Sequence, residues 1–357
     1  MSRLRPCFLA AALALVPLPA SALDGVVASI KPIHSLVAGV MGDTGAPHLL
    51  VRGAGSPHTY ALRPSDAAAL ESSSVVFWVG PEMETFLDSA IDTLGSGARV
   101  VELGEAHDLI KLRFREGGAF EAHDHGDDDH HHDHEAGHDD HAHDHDDHAH
   151  EKAGHDHDHE EKEAAHDHDD HHHDDEAHAD HGHGEFDMHV WLDPQNAAAL
   201  VHEIAEALSE VDPENAAAYE ANAAALRDRL GELTTELTAE LEPVKDKPFV
   251  VFHDAYRYFE TRFGLKAAGS ITVNPDVMPG AERMREIQTR VHELGATCVF
   301  SEPQFEPKLV TVATEGTGAG SGVLDPLGAA LDDGPELYFE LLRGMASSLK
   351  DCLSQAG

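Results

Sequence analysis

The sequence predicts an α/β protein built as two (β/α) lobes with parallel sheets, joined by a long rigid linking helix. Two observations carry that expectation. Short apolar runs alternate with helical patterns on both sides of a long acidic tract, and apolar strands alternating with helices imply parallel sheets covered on both faces. After the tract comes an uninterrupted stripe of leucines at helical spacing, long enough to bridge two lobes.

The chain opens MSRLRPCFLAAALALVPLPASALDG. Arg3 and Arg5 precede an apolar run too short to span a bilayer, and Ala20-Ser21-Ala22 fits the small-residue cleavage rule. Residues 1–22 therefore read as a signal peptide, and export to the periplasm is expected. Cys7 lies before the apolar run, too early for a lipid-anchored cysteine. No later segment approaches 18 uninterrupted apolar residues, so no transmembrane segment is expected.

The N-terminal lobe, residues 23–212, has strand candidates at 26–30 (VVASI), 48–51 (HLLV), 74–79 (SVVFWV) and 98–103 (ARVVEL). Residues 116–187 then contain almost nothing but His, Asp, Glu, Ala and Gly. Without apolar residues to bury, such a segment cannot offset its ordering entropy, and a disordered inserted loop is expected. Two Asp-Pro pairs follow, Asp193-Pro194 and Asp212-Pro213. Each reads as an N-cap followed by the proline favoured at the first helical position. The second opens the linking helix, 213–242, with Tyr219, Leu226, Leu230, Leu233, Leu237 and Leu241 on one stripe. At that length it is a rod of roughly 40 Å. Gly231 weakens it by about 1 kcal/mol relative to Ala. The C-terminal lobe, 243–357, repeats the pattern with strands at 248–253, 267–271, 297–302 and 322–326, and a helix over 282–294.

The formal charge is −43 at pH 7, and 26 of those negative charges fall in residues 116–187, where 28 Asp and Glu face two Lys and no Arg. Nucleic acid as a partner is excluded, because its phosphates demand basic patches. Cations suit such a chain. Once Cys7 leaves with the signal, Cys298 and Cys352 remain, and two cysteines in an exported protein read most simply as one disulfide. A thiolate metal pair would need closer, CxxC-like spacing.

Three single histidines stand in structured contexts. His58 lies in the turn-rich stretch GAGSPHTYALRPSD, His189 precedes a capped helix in DMHVWLDP, and His253 ends the strand PFVVFH. Asp325 ends the run GVLDP. In open parallel sheets ligands gather at the carboxyl ends of strands, and three imidazoles plus an oxygen donor are what a tetrahedral zinc site uses. A histidine by itself is more often structural, and His34, His48, His107, His202 and His292 keep that reading.

The segments GAGSPHTYALRPSD, DMHVWLDPQNA, FVVFHDAYRYFETRFGL, FSEPQFEPKLV and VLDPLG, in this order, resemble the zinc-binding solute receptors of bacterial ABC importers (the ZnuA type, among the cluster A-I metal receptors). The resemblance runs from SIKPIHSLVAGV to the terminal helix. It implies a metal site in the interlobe cleft, with His58, His189 and His253 as zinc ligands. Asp325 matches the fourth ligand of manganese relatives, and His253 stands where those relatives usually carry Glu, which points to Zn2+. Some enterobacterial relatives have a ligating Glu just before the first histidine. Pro57 stands there in this chain, leaving the fourth position open among Asp325, a water and a loop histidine. The Cys298 and Cys352 pair also matches a disulfide of zinc members.

The function expected on this basis is a monomeric periplasmic receptor, not an enzyme, that captures zinc and delivers it to the membrane permease of a zinc ABC transporter. A secreted zinc or copper buffer or metallochaperone, with the tract as its working part, is the alternative. A zinc hydrolase also fits three histidines, but HExxH and G-x-S-x-G are absent. The tract itself reads as a weak, multivalent zinc collector. Its clustered histidines His130, His131, His132, His141, His143, His145, His155, His157, His159, His171, His172 and His173 are the auxiliary ligands.

Overall fold

A computed structural model describes residues 22–115, 120, 185–272, 280–293, 295, 298–306 and 308–355. Residues 1–21 of the expected signal peptide and all twelve auxiliary histidines lie outside the described residues.

All eight expected strands form. The first sheet comprises β1 (Val26–Ala28), β2 (His48–Leu49), β3 (Val75–Trp78) and β4 (Arg99–Glu102), in the order β2-β1-β3-β4. The second comprises β5 (Phe249–His253), β6 (Ala267–Thr272), β7 (Cys298–Ser301) and β8 (Gly320–Val323), in the order β6-β5-β7-β8. Every pairing is parallel. The crossovers are α1 (Lys31–Met41), α2 (Pro64–Glu71) and α3 (Thr85–Leu94) in the first lobe. In the second they are α6 (Arg257–Phe263), α7 (Ala281–Glu293) and α8 (Lys308–Thr314). Alternation along the strands divides the core: Val26 and Ala28 face a central cluster, whereas Val27 faces the outer cluster with Leu50, Leu70 and Trp78. The second sheet has its own outer cluster, in which Val250 and Phe252 pack on Met284 and Ile287.

Between the lobes run α4 (Pro194–Val211) and α5 (Ala216–Leu241), and the chain ends in α9 (Leu337–Gln355). Asp193 caps α4 as expected, accepting a hydrogen bond from the Gln195 amide at 2.8 Å. Asp212 does not cap α5. It closes α4, and α5 starts three residues past Pro213 with Asn215 at its N-cap. The Asp212 carboxylate still braces that start, accepting from Asn215 Nδ2 and the Tyr219 hydroxyl, each at 2.7 Å. The α5 stripe is buried from Tyr219 to Leu241 as its spacing predicts. It packs against α1, α4 and α9, so one apolar cluster runs unbroken from Val26 through the α5 leucines to Leu353.

Polar bridges reinforce that seam. Trp191 Nε1 donates to the Pro326 carbonyl at 2.9 Å, and the Tyr338 hydroxyl donates to the Trp191 carbonyl at 2.6 Å. Arg262 on α6 grips the Asp193 carboxylate with two hydrogen bonds, 2.6 and 2.7 Å. Cys298 and Cys352 form a disulfide that fastens β7 to α9 across 54 residues of sequence.

Candidate metal centre

His58, His189 and His253 reach one point from three separate segments. A ligand nitrogen from each lies within 4.8 Å of the other two, although the residues are 131 and 64 positions apart. His253 is the last residue of β5, where a parallel sheet opens to ligands. His189 immediately precedes the short 3-10 turn Val190–Leu192 that leads into α4. His58 sits on the turn after β2, which is pinned by the Tyr60 hydroxyl donating to the Leu50 carbonyl and to Asp66, each at 3.0 Å.

Two of the rings are aimed by buried carboxylates. His189 Nδ1 donates to Asp187 Oδ1 at 2.7 Å, and His253 Nδ1 donates to Glu302 Oε1 at 2.6 Å. Both carboxylates are almost fully buried. With each Nδ1 carrying its proton, each Nε2 keeps a lone pair, and the two Nε2 atoms face one another at 3.3 Å. Two lone pairs hold that separation only with a cation or a shared proton between them. In a tetrahedron with zinc–nitrogen bonds of about 2.0–2.1 Å, nitrogens stand about 3.3 Å apart. His58 has no such carboxylate; its ring lies 5.8 and 5.9 Å from those of His189 and His253, centroid to centroid.

The electrostatics keep the imidazoles neutral. Burial, then the neighbouring rings, lowers His58 well below its ordinary value, and burial brings His189 down to about 3. At His253 burial also opposes the charged form, but the Glu302 carboxylate outweighs it and the net shift is upward. Burial pushes Asp187 up to about 7, against the pull of the His189 amide and the Arg115 guanidinium. The cavity that the rings line, about 250 Å³, is walled by Trp191 and Phe305 and has room for little more than an ion and a water.

Asp325 is not brought into this group. Its Oδ1 accepts from the backbone amides of Leu327 (3.1 Å) and Gly328 (2.9 Å) and from Gln304 Nε2 (3.0 Å), and its Oδ2 from the Ala329 amide at 2.6 Å. The carboxylate is consumed in closing its own turn. Asp187 and Glu302 were not legible as site residues. Asp187 reads in sequence as the last acid of the tract, yet it belongs to the folded part. Its amide donates to the Leu112 carbonyl at 2.8 Å, and the adjacent Phe186 pairs antiparallel with Arg113. Its place two residues before His189 is the one signal that could have marked it.

Three imidazoles converging between two parallel α/β lobes that share a helical spine define a metal-binding receptor of the solute-binding class. Residues 26–352 match the family described as "Zinc-uptake complex component A periplasmic", ZnuA. The chain belongs to that family, and is accordingly a periplasmic transport receptor rather than an enzyme. It is 58% identical over 332 residues to the high-affinity zinc uptake system protein ZnuA of Brucella suis, covering 93% of this chain and 92% of that protein. Among solved structures it resembles a ZnuA crystal structure with a TM-score of 0.66 at 22% identity, over 92% of this chain and 98% of that one. A ZnuA deletion mutant solved with zinc bound is similar at a TM-score of 0.63 and 22% identity, over 92% and 96% of the two chains.

Proposed function

We propose that the protein captures Zn2+ in the interlobe cleft on His58, His189 and His253 and delivers it to the permease of a zinc ABC importer. The observation that carries this reading is the 3.3 Å separation of two lone-pair-bearing nitrogens, each fixed from behind by a buried carboxylate. Neutral imidazole donors suit zinc, whereas carboxylate-rich sites suit manganese, magnesium or calcium. The names of the relatives at 58% identity point to the same ion. Residues 23–212 form the receiving lobe, 213–242 the link and 243–357 the second lobe in this reading, and the His-rich tract is an accessory collector.

Calorimetric zinc titration of the full chain, of a chain lacking residues 124–182, and of each with His253→Ala tests it. One tight site that survives the deletion and is lost with His253 is expected. Tight binding that disappears with residues 124–182 would instead make the tract the receptor and the lobes its carrier.

A further inference from the structure

Two buried acceptor oxygens in the metal cavity have no donor: Gln304 Oε1 and Glu302 Oε2. Neither is reached by solvent, and a buried polar atom without a partner is costly enough that it calls for an explanation at the site. The Gln304 amide is not free to turn over and satisfy itself. Its Nε2 must face Asp325, because that carboxylate oxygen accepts and cannot donate, so Oε1 is directed away from Asp325. Asp325 is in turn immobilised by the amides of Leu327, Gly328 and Ala329.

We propose that Gln304 is the positioning residue for the fourth coordination place: together with Glu302 it holds a water molecule on the metal, and Asp325 aims Gln304 instead of ligating. The proposal rests on the three-histidine reading above. A metal-bound water has two O–H donors and one lone pair on the ion, and the cavity offers two unpartnered acceptors for those donors. Direct ligation by Asp325 would strip three backbone amides of their acceptor, each a loss of about 1–3 kcal/mol where the amide is buried. The consequence is selectivity. A metal here meets three neutral imidazoles and a neutral water, so hard cations that demand carboxylate oxygens gain no direct one.

Gln304→Met keeps the side-chain volume and removes both the acceptor and the donor. Zinc affinity is read by competition with a chromophoric chelator, and the Co2+-loaded protein by its visible spectrum with and without azide, which displaces exchangeable water. The expected results are an azide-sensitive cobalt spectrum in the unmodified protein, and zinc binding about 10–100-fold weaker in Gln304→Met with an unchanged melting temperature of the metal-free form. An azide-insensitive cobalt site, or zinc affinity within about two-fold of the unmodified protein, overturns the proposal. Failure of the underlying reading looks different: His189→Ala and His253→Ala would then bind zinc as tightly as the unmodified chain, and this assignment would fall with it.

Discussion

Nε2 of His189 and Nε2 of His253 lie 3.3 Å apart, each on a ring whose other nitrogen is bonded to a different buried carboxylate. The rings come from the two lobes, so the position of the cation is fixed by the way the lobes meet. Asp187 and Glu302 thus act on the metal through the histidines they orient.

Removing either carboxylate leaves the three proposed ligands in the chain but frees one ring to rotate. Asp187→Ala and Glu302→Ala should each weaken zinc binding by about 10–100-fold, as measured by chelator competition. His58→Ala removes a donor outright and should cost more than either. Equal affinities across Asp187→Ala, Glu302→Ala and the unmodified protein would mean that ring orientation is set by packing alone.

Zinc affinity should depend on pH through one proton. His58 and His189 are neutral throughout the physiological range, because burial lowers both. His253 is raised above its ordinary value by Glu302, so in the metal-free protein it is the ring that holds a proton. As pH falls through the raised value of His253, the proton competes with zinc and affinity should fall about tenfold per unit. The same shift has the opposite effect on metal-free stability. Protonated His253 contributes stability that is fully present below the unfolded-state value near 6.5 and is lost as pH rises through the higher folded value. Chelator competition between pH 8 and pH 5 checks the slope, and a slope near three protons would contradict the neutrality of the other two rings.

How much of this was legible beforehand varies with the kind of information. The strands were readable because each is an apolar run framed by turns, and the α5 stripe because leucines at Leu226, Leu230, Leu233, Leu237 and Leu241 leave no other period. The three histidines stood out by context and by resemblance. Asp187 did not, since an acid at the end of an acidic tract carries no local mark. Asp325 misled for the opposite reason: its spacing from Gly328 makes a turn that consumes the carboxylate, and that competition is settled only by backbone geometry.

Zinc should not draw the lobes together by a wide hinge motion. The spine of α1, α4, α5 and α9 is one continuous apolar cluster. Arg115, which precedes the tract, is bonded to both Asp254 and Glu260 of the second lobe, with Nη1 to Glu260 Oε2 at 2.7 Å. The radius of gyration of a chain lacking residues 124–182, from solution scattering, should change by less than about 1 Å on zinc addition, in keeping with a pre-organised binding surface. Arg115→Ala should loosen that restraint, and a large zinc-induced contraction of the unmodified protein would rule the rigid seam out.

The disulfide closes 54 residues of sequence, worth about 4 kcal/mol in the chain-entropy treatment. Cys298→Ser with Cys352→Ser should lower the urea midpoint accordingly while leaving one zinc bound per chain. Loss of the zinc site in a still-folded double variant would show that the crosslink acts on the cleft directly.

The last helix has a bearing on when the site comes into being. The Tyr338 amide donates to Ser35 Oγ at 3.0 Å, across 303 residues, and the Tyr338 hydroxyl holds the carbonyl of Trp191, two residues after His189. A chain threading out of the cytoplasm from its N-terminus exposes His58 first and α9 last. The cleft is therefore completed only by the final stretch to emerge, so a half-exported molecule holds no finished trap, and the ion is taken on the far side of the membrane.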